Sequence, residues 1–159
     1  MKTTEHASPC IEKYVIQSLF MMGQGDYGLE CMRRRYALMV NDPVYTTLYE
    51  SWDMGKGDMP TSCNHAWSGG GGILSAYVCG VIPLEAGYGK WQVAPCSAGI
   101  RKASTVVPAV KGPLTASFVV TDDAITITVK APRGLSGELV VPRGYEHEGQ
   151  VIAARGIYL

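Results

Sequence analysis

Apolar residues over the first forty positions recur at helical spacing. Ile11, Val15, Leu19 and Met22 form one stripe, and Leu29, Met32, Tyr36 and Met39-Val40 form a second. Ser8-Pro9 reads as a helix start, with serine at the N-cap and proline at the first helical position, where its missing N–H costs nothing. Gly23-Gln24-Gly25 ends this helix, Asp26 can cap the next, and Asn41-Asp42-Pro43 stops it. The pattern predicts two amphipathic helices in an antiparallel hairpin. Residues 44–64 lose any clean period and read as a structured loop. Ala66 to Gly80 offers a third helix, although each of Gly69 to Gly72 costs about 1 kcal/mol against alanine in a helix interior. Such a run fits either close backbone packing on a neighbour or a turn before a shorter helix starting near Ile73.

From Trp91 onward the period becomes two. Strands are expected at Trp91 to Ala94, Val106 to Val110, Thr115 to Val120, Ala124 to Val129, Leu139 to Val141 and Gln150 to Ala153. Thr121-Asp122-Asp123 is a hairpin turn, and Pro132-Arg133-Gly134 and Pro142-Arg143-Gly144 punctuate the later strands. The change of period divides the chain into 1–89 and 90–159. The expected fold class is α+β, helices followed by a small antiparallel β-sandwich.

Composition narrows the function classes. With 159 residues, 47% of them hydrophobic, the chain can bury a core. Lys plus Arg and Asp plus Glu both total 14, and no basic run exceeds Arg33-Arg34-Arg35, so nucleic acid is not an expected partner. That triplet reads as a solvated face or an ion-pair donor. No stretch approaches the roughly 18 apolar residues of a membrane span, and no apolar region follows Lys2 as a secretory signal requires. Cys10, Cys31, Cys63, Cys79 and Cys96 are scattered without a CxxC pair, which argues for reduced thiols rather than zinc or disulfides. A cytoplasmic protein is expected, with no metal and no organic cofactor.

The densest chemical vocabulary is YTTLYESWDMGKGDMPTSCNHAWS, residues 45–68. Glu50, Asp53 and Asp58 lie near Trp52, Trp67, His65, Asn64 and several hydroxyls. Aromatic faces cover the apolar side of a sugar ring while carboxylates, amides and imidazoles bond its hydroxyls, so the pattern suits a carbohydrate ligand without selecting it. An ordinary polar loop has the same ingredients. A carboxylate between Tyr49 and Trp52 would also be partly desolvated.

From His6 through Pro142 the sequence resembles the C-terminal part of the bacterial α-L-rhamnosidases, inverting glycosidases with an (α/α)6-barrel catalytic domain. HASPCIEKYVIQSLFMMGQGDYGLECMRRRYALMV is similar to the family's late barrel hairpin, YTTLYESW to its "TTLWE" segment and TSCNHAWSGG to its "S-NHAWSG" segment. GVIPLEAGYGKWQVAP looks like the join into the C-terminal β-sandwich. The resemblance implies that residues 1–89 are the last helices of such a barrel. It implies that Glu50 is the general base and that His65 contacts the bound rhamnose. Trp52 and Trp67 are candidates for subsite walls, with structural core the favoured reading, while Asn64 is expected to brace its loop and Asp53 and Asp58 to be solvated. Tyr49 and Cys10 stand where the family usually has Trp and Tyr.

An inverting glycosidase needs a second carboxylic acid about 6.5–9.5 Å from the base. Neither Glu5 nor Glu12 sits in the family's acid motif, so the chain is expected to be a portion of an enzyme, inactive alone. The stripe Ile11, Val15, Leu19, Met22 would then need cover, from a second copy in a homo-oligomer or from a missing N-terminal segment. Two other classes stay open: a non-catalytic carbohydrate-binding module, and a structural or interaction domain that oligomerises through its helices.

Overall fold

A computed structural model of the chain describes residues 7–52 and 70–146. The chain divides into two compact units, Met1–Ile73 and Leu74–Leu159.

In the first unit, helix α1 (Pro9–Met21) and helix α2 (Gly25–Val40) form the expected hairpin. Ser8 is extended and Pro9 opens α1, as the sequence predicts, but the Ser8 side chain makes no capping bond. Gly23 takes φ +75, the left-handed conformation that closes a helix, and the backbone N–H of Gln24 turns back to Leu19 O at 2.8 Å. α2 starts at Gly25 rather than after an Asp26 cap; Asp26 instead lies in the first turn, where a negative charge suits the helix dipole.

The stripe of α1 that faces inward is not the expected one. Pro9, Glu12, Ile16 and Phe20 are buried, while Ile11 is 51% and Met22 65% exposed, with Val15 and Leu19 half-buried. The reason lies across the hairpin: Phe20 packs on Gly28, where a Cβ would come within 3.3 Å of its ring, and Glu12 meets Arg35. On α2, Leu29, Cys31, Tyr36 and Met39 are buried. Helix α3 (Gly70–Ile73) begins with a glycine whose Cβ would sit 2.8 Å from Met32 Cε, the far end of a flexible side chain that can move aside. Gly71 and Gly72 face open space. Ala66 to Gly69 lie outside the described residues.

The second unit opens with a π-helical turn, Leu74–Val78. Six described strands follow: β1 (Val81–Pro83), β2 (Lys90–Val93), β3 (Lys102–Ala109), β4 (Gly112–Val120), β5 (Ile125–Lys130) and β6 (Ser136–Leu139). They make two three-stranded sheets, ordered β1-β2-β6 and β3-β4-β5. Within β4, Leu114, Ala116 and Phe118 point inward between polar or exposed neighbours, which is the period of two made physical. Val81, Trp91 and Val93 from one sheet share a core with Val107, Leu114 and Ala116 from the other, closed by Cys79 and Leu135.

Four strands depart from expectation: β3 and β4 begin at Lys102 and Gly112 rather than Val106 and Thr115. β1 was not expected at all. β6 begins at Ser136 rather than Leu139, and it runs parallel to β2, with Trp91 opposite Gly137 and Gln92 opposite Glu138. Ser-Gly-Glu has little intrinsic strand preference, so its place comes from packing on Trp91 and from the Gln92–Glu138 side-chain bond of 2.6 Å. The apolar Leu139 to Val141 run only begins where that strand ends. The strand expected at Gln150 to Ala153 lies outside the described residues. No described helix is long and apolar enough to cross a membrane.

Candidate functional site

The strap that follows α2, residues 43–52, has no regular secondary structure, so side chains must hold it. At its start Asp42 accepts the backbone N–H groups of Val44 and Tyr45 at 2.8 and 2.9 Å through Oδ1. Its Oδ2 accepts the Tyr49 hydroxyl at 2.7 Å. The Tyr45 N–H, then the Tyr49 hydroxyl and the Val44 N–H, hold the Asp42 carboxyl below the usual carboxylate range. Tyr49 is buried, with the Tyr45 ring edge-on at 5.9 Å.

At the other end Trp52 donates its indole N–H to Ala7 O at 2.7 Å. The Arg35 guanidinium lies over its ring at 4.6 Å, and the Tyr36 ring meets it edge-on at 5.2 Å. Arg35 Nη2 donates to the same Ala7 oxygen at 3.2 Å. Behind it stands Glu12, only 1% exposed, with Oε1 3.6 Å from Arg35 Nε. Tyr36 donates its hydroxyl to Pro9 O at 3.1 Å, and burial, then the Glu12 charge, pushes its pKa up to about 12.

Glu50 sits between these anchors, next to Tyr49 and two residues before Trp52. It is half-buried, and among the described residues no hydrogen bond or ion pair engages its carboxylate. His65 and Trp67 lie outside the described residues, as do Asn64, Asp53 and Asp58. Among the described residues no three His, Cys, Asp or Glu side chains gather as metal ligands would.

Sequence reading missed the Glu12–Arg35 pair and the Asp42–Tyr49 bond. One signal was available for the pair: Glu12, Ile16 and Phe20 are spaced by four, and Arg35 adjoins Tyr36 of the buried stripe. Arg33 and Arg34 are the solvated face expected of the triplet, with Arg34 3.4 Å from Glu30 at the surface. Arg35 turns inward instead.

Comparison with known proteins adds an independent line. Residues 80–153, just under half of the chain, match the family model of the bacterial alpha-L-rhamnosidase C-terminal domain. Three solved structures are similar. The alpha-L-rhamnosidase from Dictyoglumus thermophilum is 20% identical over 87% of this chain and 16% of its own, with a TM-score of 0.73. The GH78 family rhamnosidase of Bacillus sp. GL1 is 25% identical over 86% of this chain and 15% of its own, also with a TM-score of 0.73. The Streptomyces avermitilis alpha-L-rhamnosidase, solved with L-rhamnose, is 21% identical over 82% of this chain and 14% of its own, with a TM-score of 0.68. No curated protein matches the chain significantly. The chain thus resembles the C-terminal part of bacterial α-L-rhamnosidases and spans about a sixth of the length of the structures it matches.

Proposed function

We propose that the chain is the C-terminal portion of a glycoside hydrolase that cleaves terminal α-L-rhamnosides with inversion. In this reading the helical unit is the end of the catalytic barrel and the strands from β1 onward form its β-sandwich. Glu50 is the general base, which deprotonates the water attacking the anomeric carbon. His65 bonds the sugar, and Trp52 and Trp67 contribute to its subsite. The observation that carries the reading is the reach of the structural match. The family model covers 80–153, yet the match to the Bacillus enzyme covers 86% of the chain at 25% identity, so it extends into the helical unit that holds Glu50.

The reaction also needs an acid for the leaving oxygen. Glu12 is a poor acid, since it is 1% exposed and committed to Arg35. In this reading the acid belongs to a part of the enzyme outside this chain, and the isolated chain is expected to bind sugar without turning it over. Calorimetric titration of L-rhamnose tests this, with His65→Ala and an aryl α-L-rhamnoside assay beside it. Millimolar or tighter binding that His65→Ala abolishes, with hydrolysis at background, supports the reading. Absence of binding contradicts the sugar site, and hydrolysis lost in Glu50→Gln contradicts the need for an external acid.

A second reading concerns association. Ile11, Tyr14 and Met22 are 51%, 54% and 65% exposed along one side of α1, which is the kind of apolar strip that a partner surface covers. Light scattering at tens of micromolar distinguishes a self-paired chain from a monomer.

A further inference from the structure

We propose that Arg35, backed by the buried Glu12, is the positioning residue for Glu50, acting through the indole of Trp52. The inference rests on the reading of Glu50 as general base and adds what holds it. A catalytic group has to be kept within about 0.5 Å of its working position, yet Glu50 lies on a strap without helix or strand bonding. Tyr49 fixes one side through Asp42. The other side depends on Trp52, whose indole N–H shares the Ala7 carbonyl oxygen with Arg35 Nη2.

The geometry of the ion pair shows what sets the guanidinium. A bidentate Arg–carboxylate pair would bring nitrogen and oxygen to about 2.8 Å. Here Nε and Oε1 are 3.6 Å apart, and both Arg35 Nε and Glu12 Oε2 are buried without a hydrogen-bond partner. The tighter pairing is given up, and the guanidinium carbon lies instead over the indole ring, 4.6 Å from its centre, with one N–H on Ala7. Glu12 supplies the charge that keeps the cation inside the hairpin. Arg35 supplies a cation over the ring and shares the Ala7 oxygen with its N–H, which fixes the ring, and the ring fixes the backbone two residues from Glu50. A lysine could satisfy Glu12 but lacks the guanidinium's fork of donors, which lets Arg35 face Glu12, the indole and Ala7 at once.

The test compares Arg35→Gln, Arg35→Lys and Trp52→Phe in the whole chain by NMR and L-rhamnose titration. The expected result for Arg35→Gln is amide exchange at Glu50 and Ser51 at least tenfold faster, with the Trp52 indole resonance displaced and that of Trp91 unmoved. L-rhamnose affinity is expected to fall about tenfold, Arg35→Lys lying between wild type and Arg35→Gln. In a Glu50→Gln background, Arg35→Gln should add little to the loss, because both act at one point. Trp52→Phe retains the Glu12–Arg35 pair and should reproduce the faster exchange at Glu50, which keeps the test decisive where Arg35→Gln fails to fold. Unchanged exchange at Glu50 in Trp52→Phe, or full additivity with Glu50→Gln, overturns the proposal. A wild-type chain that ignores L-rhamnose defeats the sugar-site reading, while the Glu50 amide still reports whether Arg35 and Trp52 hold the strap.

Discussion

Gly137 stands directly opposite Trp91 across the parallel β2–β6 pair, and a Cβ at Gly137 would overlap the six-membered part of the indole. The missing side chain is what lets Trp91, 2% exposed, lie under the sheet and tie β6 to the shared core. Gly137→Ala is therefore expected to destabilise the β unit by about 1–3 kcal/mol, the usual range for overpacking. Urea unfolding followed by the NMR signal of the Trp91 indole N–H checks this. A midpoint equal to wild type would show that β6 moves aside freely.

The Glu12–Arg35 pair makes a different kind of prediction. Removing one partner of a buried pair strands the other, at a cost of roughly 3–5 kcal/mol, whereas replacing both with apolar groups is far milder. Arg35 retains 13% side-chain exposure against 1% for Glu12, so the penalty falls mainly on stranding Glu12. Arg35→Met is expected to destabilise the hairpin more than Glu12→Met/Arg35→Met does. Denaturant midpoints of the two variants decide the order.

Tyr36 sets an alkaline limit. Its pKa is raised from 10.0 to about 12 by burial, so the folded state holds the phenolic proton more tightly than the unfolded chain. The stabilisation is complete below about pH 10 and is lost as pH rises toward 12. Tyr36→Phe also deletes the bond to Pro9 O, worth about 0.5–1.5 kcal/mol. The stability advantage of wild type over Tyr36→Phe should hold from pH 7 to 9.5 and shrink above pH 10, as unfolding curves across that interval would show.

Asp42 acts at the opposite end of the scale. Its pKa is lowered from 3.8 by bonds from Tyr45, Tyr49 and Val44, so its contribution is present above the unfolded value and disappears as pH falls through the folded one. Between pH 5 and 2 the amide signals of Val44 and Tyr45 should shift together with the Tyr49 ring. Asp42→Asn should remove that coupled titration.

The helical hairpin and most of the strands were legible because their periods come from one face being buried, as in Leu114, Ala116 and Phe118. The inward face of α1 was misread because periodicity ranks residues by apolarity. Glu12 was passed over for Ile11, although a buried counter-charge on α2 makes the carboxylate the inward residue. β6 was displaced for a related reason: Ser136-Gly137-Glu138 has no strand signal of its own and depends on a tryptophan 46 residues away, the separation that also links Gln92 to Glu138. Glu50 was singled out by motif resemblance. Its anchors, Asp42 and Arg35, could not be, because they are contacts between segments rather than patterns within one.

The most direct measurement is hydrogen exchange of the strap with and without saturating L-rhamnose. The account predicts slower exchange at residues 44–52, centred on Glu50, with the amides of β3, β4 and β5 unchanged. Exchange at 44–52 that ignores the sugar, or protection confined to the β strands, would contradict it.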